Sequence, residues 1–314
     1  MLRNAPPLES IEIFVAAARG QSFRAVGRSL ALSPSAISRR IAGLESFLGV
    51  PLFDRTGPSP VLNTGGRRYL ALVEPAITTI GGATRALREG ESNRLRVATS
   101  HSLAATWLMP RLAGLHRDLG IEVEVLPTRS FDVLRSGEAE IGIWGGLEVP
   151  VDMIADHLFA ARAIAVCAPR LADGRKPPAS DAELPDYPLL GVRAPSGLWA
   201  RFLAGAGLFP ERIDVREHAT LQLMYEATVS GLGVTLAMPL VAEPFLIAGK
   251  LIPCGGAARS LGETYRIYRP ASRIIRSPAE HRFAAWLSAE VAHSLERFDM
   301  IAARAANGKA SPGS

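Results

Sequence analysis

Four side chains at the start of one amphipathic segment have types and spacing suited to chemistry: Ser35, Ser38, Arg39 and Arg40. Hydroxyls and guanidinium groups near a helix N-terminus can reach base edges and phosphates when that helix enters the major groove of duplex DNA. From Pro34 to Leu48 the sequence places Ile37, Ile41, Leu44 and Leu48 at spacings of 4, 3 and 4, which predicts a helix with one face turned to a core. Ser33 is a natural N-cap, Pro34 loses nothing at the first helical position, where an N–H would be unpaired anyway, and Gly49 suits the C-terminal stop. Ser33, Ser35, Ser38, Arg39 and Arg40 are therefore the candidate DNA contacts.

A second group of polar residues sits where strand-like runs meet helical ones. Thr99-Ser100-His101-Ser102 follows LRVAT, Thr128 ends IEVEVLP, and Thr220 opens the helix after IDVREHA. Free N–H groups and the helix dipole both favour negative charge at such junctions. His101 beside two serines does not make a nucleophile and base, since adjacent residues rarely form a triad and no nucleophile elbow surrounds them, so no catalytic residue is expected. The glycine-rich SGLGV at 230–234 lacks the dinucleotide-binding spacing, and no Walker motif occurs. The histidines at 101, 116, 157, 218, 281 and 293 show no close ligand pairing, so neither a metal nor a cofactor is expected.

The elements that would position these residues follow from periodicity. Residues 8–18 put Leu8, Ile11, Val15 and Ala18 at helical spacing, and Ser22 can cap a short helix to Leu30 whose small residues Ala25, Val26 and Gly27 would allow close approach. Between Thr64 and Glu89, Tyr69, Val73, Ala76, Ile80, Ala83 and Leu87 recur at alternating spacings of 4 and 3, a stripe suited to pairing with another helix. Pro75 and Gly81-Gly82 argue for a kink there. Beyond Leu95, short strands alternate with helices, the order of an α/β fold, and the pattern recurs from 163 as if in two halves.

Charge divides the chain the same way. The first 68 residues hold nine arginines against four acids, so the whole formal charge of +5 lies there and the other 246 residues sum to zero. A compact basic segment joined to a larger neutral part is the electrostatic footprint of a nucleic-acid module carried by something with another task. A length of 314 residues agrees with more than one domain, and 48% hydrophobic with 21% charged residues excludes collagen-like and wholly disordered chains. Only Cys167 and Cys254 occur, which suits a reducing compartment. Glu9 and Glu12 interrupt the first apolar stretch, and no run of about 18 apolar residues appears, so secretion and membrane spanning are disfavoured.

The stretch SFRAVGRSLALSPSAISRRIAGLESFLGVPLFDRTGPSPVLNTGG resembles the winged helix-turn-helix of LysR-type transcriptional regulators. The likeness rests on the Ser-Phe opening of the second helix, Ala36-Ile37-Ser38-Arg39, Leu44-Glu45, Leu48-Gly49, Leu52-Phe53, Arg55 and the closing L-x-T-x-x-G-like run, with Val26, Gly27 and Asn63 as departures and Pro58 and Pro60 in the wing. The resemblance implies a winged helix-turn-helix over 1–65 with Arg55 in a DNA-contacting wing, and a linker and dimerisation helix over 66–92. It implies an α/β effector domain over 93–302 with two lobes like a periplasmic binding protein: lobe one 93–162 and 267–302, lobe two 163–266. A disordered tail would occupy 303–314. It places a small-molecule effector between the lobes against Ser100, Ser102, Thr128 and Thr220, with Trp144 at a strand end facing the same cleft. It further implies a cytoplasmic, non-enzymatic regulator of transcription that binds double-stranded promoter or operator DNA as a homodimer assembling to a homotetramer. The ALSPSAISRRI and GLGV texture is similar to regulators of the glycine-cleavage type. The competing reading is a small-molecule enzyme or solute-binding protein whose N-terminal segment serves assembly.

Overall fold

A computed structural model describes residues 5–18, 26–28, 32–54, 60–88, 93–146, 148–193, 197–211, 213–273 and 276–308. The chain falls into two compact units, Met1–Gly90 with Arg135–Glu138, and Glu91–Leu134 with Ala139–Ser314.

In the first unit, α1 spans Leu8–Ala18 and α2 spans Pro34–Leu48, with Val26–Arg28 helical between them. A two-stranded antiparallel wing, β1 (Phe53–Asp54) and β2 (Val61–Leu62), pairs Phe53 with Leu62 and Asp54 with Val61. A 25-residue helix, α3, spans Thr64–Arg88. The core gathers Ile13, Phe14, Val26, Ile37, Ile41, Leu44, Leu52 and Phe53. Two polar residues fasten the wing to it. Glu45 Oε1 accepts the Leu52 and Phe53 N–H groups at 2.8 and 3.3 Å. Asn63 caps α3 by accepting the Gly66 N–H at 2.8 Å, while its own amide donates to the Pro51 carbonyl at 3.0 Å.

The glycines at 27 and 66 are explained by approach distance. A Cβ at Gly27 would lie 2.6 Å from the Leu32 carbonyl oxygen, and one at Gly66 would lie 2.1 Å from that of Leu52. The helix α3 continues through Pro75 and Gly81, and no separate helices form on either side of the expected kink.

The second unit is built on β3 (Arg94–Thr99), β4 (Glu122–Pro127), β5 (Ile141–Gly145), β6 (Met153–Cys167), β7 (Leu189–Val192), β8 (Val215–His218), β9 (Val234–Ala237), β10 (Ile252–Pro253) and β11 (Arg259–Pro270). Its strand order is β4-β3-β5-β11-β6-β9-β7-β8, with β10 on β6. Parallel trios β4-β3-β5 and β8-β7-β9 form the two lobes, and the long antiparallel pair β6–β11 joins them.

One continuous helix leaves β3, in which α4 (His101–Leu103) passes through a π segment (Ala104–Leu108) into α5 (Met109–Leu119). The remaining helices are α6 (Asp132–Arg135), a 3-10 turn (Asp181–Asp186), α7 (Leu198–Ala204), α8 (Leu221–Val229), α9 (Pro239–Ile247) and α10 (Pro278–Gly308). A disordered tail is expected from 303, but α10 runs on to Gly308, because the alanines at 302, 303, 305 and 306 are strong helix formers. Among the described residues no helix is long and apolar enough to cross a membrane.

The glycines on α3 and at its start make a paired test. Gly66→Ala should destabilise the first unit by about 1–3 kcal/mol through overpacking. Gly81→Ala, where nothing lies within 4 Å of the added carbon, should stabilise it by roughly 1 kcal/mol as a relieved helix-interior glycine. Chemical denaturation of the two variants against the parent checks both signs.

Candidate DNA interface and effector cleft

The start of α2 is set by its cap. Ser33 is extended (φ −72°, ψ 151°) and its Oγ accepts the Ala36 N–H at 3.2 Å, while Pro34 occupies the first turn. Ser35 Oγ lies 3.0 Å from Ser33 Oγ. With Ile37, Ile41 and Leu44 buried, the opposite face puts Ser35, Arg39 and Arg40 in solvent and Ser38 half-buried. Arg39 Nε donates to the Ser35 carbonyl at 3.4 Å, which lays the side chain back along the first turn. Arg40 pairs with Glu9 at the start of α1 at 2.8 Å, with both side chains about half-exposed.

Glu9 is thus an unforeseen neighbour of the basic face, and no periodicity in the sequence links residues 31 positions apart. Arg67, also exposed, folds back on its own wing, with Nη1 donating to the Leu62 carbonyl at 2.6 Å. Arg55 lies outside the described residues.

The stripe on α3 divides. The Tyr69 ring lies tilted against Phe14 at 5.4 Å, and it, Val73 and Ile77 pack against their own unit's core. Ala76 and Ile80 are exposed, as is Leu72, which lies off the expected stripe. The side chains of Ala83 and Leu87 lie outside the described residues. The exposed face of α3 therefore includes Leu72, Ala76 and Ile80. Tyr69 and Val73 belong to the interior because the helix must first cover α1.

In the second unit the carboxyl ends of the two parallel trios face each other, the usual ligand position in open α/β sheets. Ser100 caps α4 by accepting the Leu103 N–H at 3.3 Å, and Thr220 caps α8 by accepting the Leu223 N–H at 3.2 Å. Ser102, 4% exposed, reaches from lobe one to lobe two, where its Oγ accepts the Gln222 N–H at 3.2 Å. Two helix N-termini thus meet through one serine.

Thr128 extends the β4 end. Its N–H donates to Thr99 O at 2.7 Å, and its Oγ1 accepts the Ser130 N–H at 3.1 Å. Trp144 stands behind it, 1% exposed, with Phe131 and Tyr268 edge-on or tilted at 5.1 and 5.5 Å and Nε1 donating to Thr128 O at 2.7 Å. The structure thus joins the first turns of the helices capped by Ser100 and Thr220 through Ser102 and Gln222, and puts the Trp144 indole inside an aromatic cluster.

Charged residues that periodicity and capping did not single out surround the same strand ends. Arg129 Nη2 donates to Gly145 O at 2.9 Å, and Arg201 on α7 donates to Glu263 at 2.8 Å. Glu263 sits in an irregular stretch of β11: Ser260 pairs with Arg162 and Thr264 with Ala160, so three residues of β11 oppose one of β6. Such a bulge bends the strand and re-aims a side chain, and Gly262, at φ +74°, supplies its left-handed residue. Arg129 was findable, being next to Thr128, whereas Glu263 depends on a bulge with no clear sequence signature. Tyr225 ties α8 to lobe two's sheet by donating to Leu236 O at 3.2 Å and accepting the Met238 N–H at 3.0 Å. Burial pushes its phenol above its ordinary value. Among the described residues no group of three or more His, Cys, Asp or Glu side chains could hold a metal ion.

Residues 8–67 match the family model for bacterial regulatory helix-turn-helix proteins of the lysR family, and residues 88–292 match the LysR substrate binding domain. The chain belongs to the LysR family. LysR-type regulators bind DNA through the first of these parts and small-molecule effectors through the second, and this chain is a LysR-type DNA-binding transcription regulator with an effector-binding domain.

Among its curated LysR relatives, the glycine cleavage system transcriptional activator of Escherichia coli K12 is 28% identical over 95% of this chain and 98% of its own length. The AhcY transcriptional activator HvrB of Rhodobacter capsulatus is 32% identical over 92% of this chain and 98% of its own. The solved full-length LysG of Corynebacterium glutamicum, with bound effector Arg, shares the fold at TM-score 0.58 and 19% identity, covering 92% of this chain and 99% of that one.

The aromatic cluster can be probed directly. Trp144→Phe keeps an aromatic ring but loses the second fused ring and the indole N–H donated to Thr128 O, and should cost about 1–3 kcal/mol of stability. Trp144→Ala should cost about 3–5 kcal/mol, both read by thermal or denaturant unfolding.

Proposed function

We propose that the N-terminal turn of α2 enters the major groove of operator DNA, with Arg39 and Arg40 contacting bases and phosphates and Ser33, Ser35 and Ser38 supporting them. The observation that carries this reading is the division of α2: Ile37, Ile41 and Leu44 are buried while Ser35, Arg39 and Arg40 stand in solvent beside the capped first turn. Arg55 would add a wing contact. The small-molecule effector would bind between the lobes against Ser100, Ser102, Thr128 and Thr220, with Trp144 acting through Thr128. Effector binding alters transcription only if the ligand prefers one arrangement of the assembly, since equal affinity for two states shifts neither.

The exposed Leu72–Ala76–Ile80 face supports a homodimer formed through α3, and the family habit of pairing dimers supports a homotetramer acting in the cytoplasm on chromosomal DNA. The protein is not proposed to be an enzyme: Ser100 accepts the Leu103 N–H as a helix cap and Ser102 accepts the Gln222 N–H between the lobes.

Gel shifts with the intergenic DNA upstream of the protein's own gene, run at two salt concentrations, test the DNA reading. Arg39→Ala should lose roughly 1–3 kcal/mol of operator binding if it reads a base. Arg40→Ala should lower the salt slope by about 1 if it neutralises a phosphate. Salt-insensitive absence of binding by the parent protein would favour the solute-binding reading. Leu72→Glu should shift the assembly toward monomer in analytical ultracentrifugation while leaving the first unit folded; an unchanged sedimentation coefficient would remove α3 from the interface.

A further inference from the structure

The helix α9, PLVAEPFLI, is apolar and buried along nearly its whole length, yet it carries one carboxylate, Glu243, that is 4% exposed. A lone buried carboxylate is strongly disfavoured, so its partners are obligatory to the fold. Three partners reach it from the helices of lobe one. Arg111 of α5 donates to Oε2 at 2.5 Å, Ser294 of α10 donates to the same oxygen at 2.9 Å, and Arg297 of α10 holds Oε1 at 2.7 Å. Ser294 also accepts the Trp107 Nε1–H at 2.9 Å, the Arg111 guanidinium lies 4.6 Å from the Trp107 ring centre, and Glu290 approaches Arg111 Nε at 3.3 Å.

Trp107 lies within the π segment Ala104–Leu108 and Arg111 just beyond it, on the same continuous helix as Ser102. A π segment adds a residue to a turn and rotates the helix beyond it by about 100° relative to an unbroken α-helix. That rotation lets one helix turn Ser102 toward Gln222 at one end and Trp107 and Arg111 toward Ser294 and Glu243 at the other.

We propose that Glu243 is a positioning residue for the cleft: the clasp it forms with Arg111, Ser294 and Arg297 fixes α9 of lobe two against lobe one, and through the π segment fixes the place where Ser102 meets Gln222. The geometry of the clasp stands by itself, and its meaning for effector binding rests on the proposed cleft. Loss of the clasp frees the lobes to separate at the Ser102–Gln222 contact, about 20 residues along the chain from Glu243 and on another helix.

Peptide-resolved hydrogen exchange on the full-length chain tests this. Glu243→Gln keeps the shape, removes the charge, and should speed exchange of the segment containing the Gln222 amide at least tenfold. Ser102→Ala should speed the same segment without changing exchange in Pro239–Ile247. A Glu243→Gln protein that melts lower and exchanges faster only within α9 and α10, with the Gln222 segment as in the parent, would make the clasp a staple without influence on the cleft and overturn the proposal. Should Glu243→Gln fail to fold, Ser294→Ala, which removes one donor to Glu243 and the acceptor of Trp107, is read by the same two outcomes. The cleft reading fails separately, if melting temperature in a screen of small organic acids and amino acids does not move in the parent protein; that result leaves the exchange outcome intact.

Discussion

The antiparallel ladder between β6 and β11 is the constraint on which the effector unit depends. From Met153 to Cys167 and from Arg259 to Pro270, these strands pair with each other and with one trio apiece, β11 with β5 and β6 with β9. A two-stranded connection twists and bends more readily than a wide sheet, so it joins the lobes without dictating one angle between them. The bulge at Leu261–Glu263 sharpens that bend where the connection crosses, and places Glu263 within reach of Arg201 on α7. The angle between the lobes is then left to contacts on either side of the ladder. Ser102 with Gln222 forms one of them and the Glu243 clasp another.

The first unit solves a different problem, that of presenting a polar face on a module with little interior. Its core is only about as deep as one helix, so α2 must be anchored at both ends. Pro34 and the Ser33 cap define where its first turn begins, and Glu45 ties its last turns to the wing through two backbone N–H groups. Buried or half-buried polar groups of this kind cost more to leave unpaired than they gain when paired, so they specify the wing's position more sharply than apolar contact does. Asn63 serves the same end at the start of α3, where its side chain caps the helix and also donates a hydrogen bond to the Pro51 carbonyl.

Local pattern made much of this legible. The 4-3-4 spacing of Ile37, Ile41, Leu44 and Leu48 and the Ser-Pro start defined α2 to within a residue, because capping and periodicity are local. The strand-like runs LRVAT, IEVEVLP and IDVREHA overlap β3, β4 and β8 for the same reason. What stayed hidden was whatever depends on two distant segments. The Tyr69 and Val73 stripe has a helical period whether it faces a partner or Phe14, and only the fold chooses. Trp144 lies on β5 one residue before its end, but its surroundings are set by Phe131 and Tyr268, the latter 124 positions away. The π segment has no signature in AATWL.

If the effector binds between the lobes as proposed, the meeting of Ser102 and Gln222 limits what the cleft can accept. An entering ligand that parts the two helices takes the Gln222 N–H from its acceptor, and a buried donor left unpaired costs about 1–3 kcal/mol. A ligand therefore gains by supplying an acceptor atom of its own at that point, and purely apolar molecules of equal size are disfavoured by the same amount. Thr220 and Ser100 do not relieve the requirement, because their oxygens already accept the Leu223 and Leu103 N–H groups. Each of those hydroxyls also carries a hydrogen that can turn toward an acceptor, so the two caps and the Gln222 N–H would supply donors to the proposed cleft. Discrimination in such a cleft comes from matching acceptors to donors that the fold has already aimed, with the apolar area buried on binding adding affinity but little selectivity.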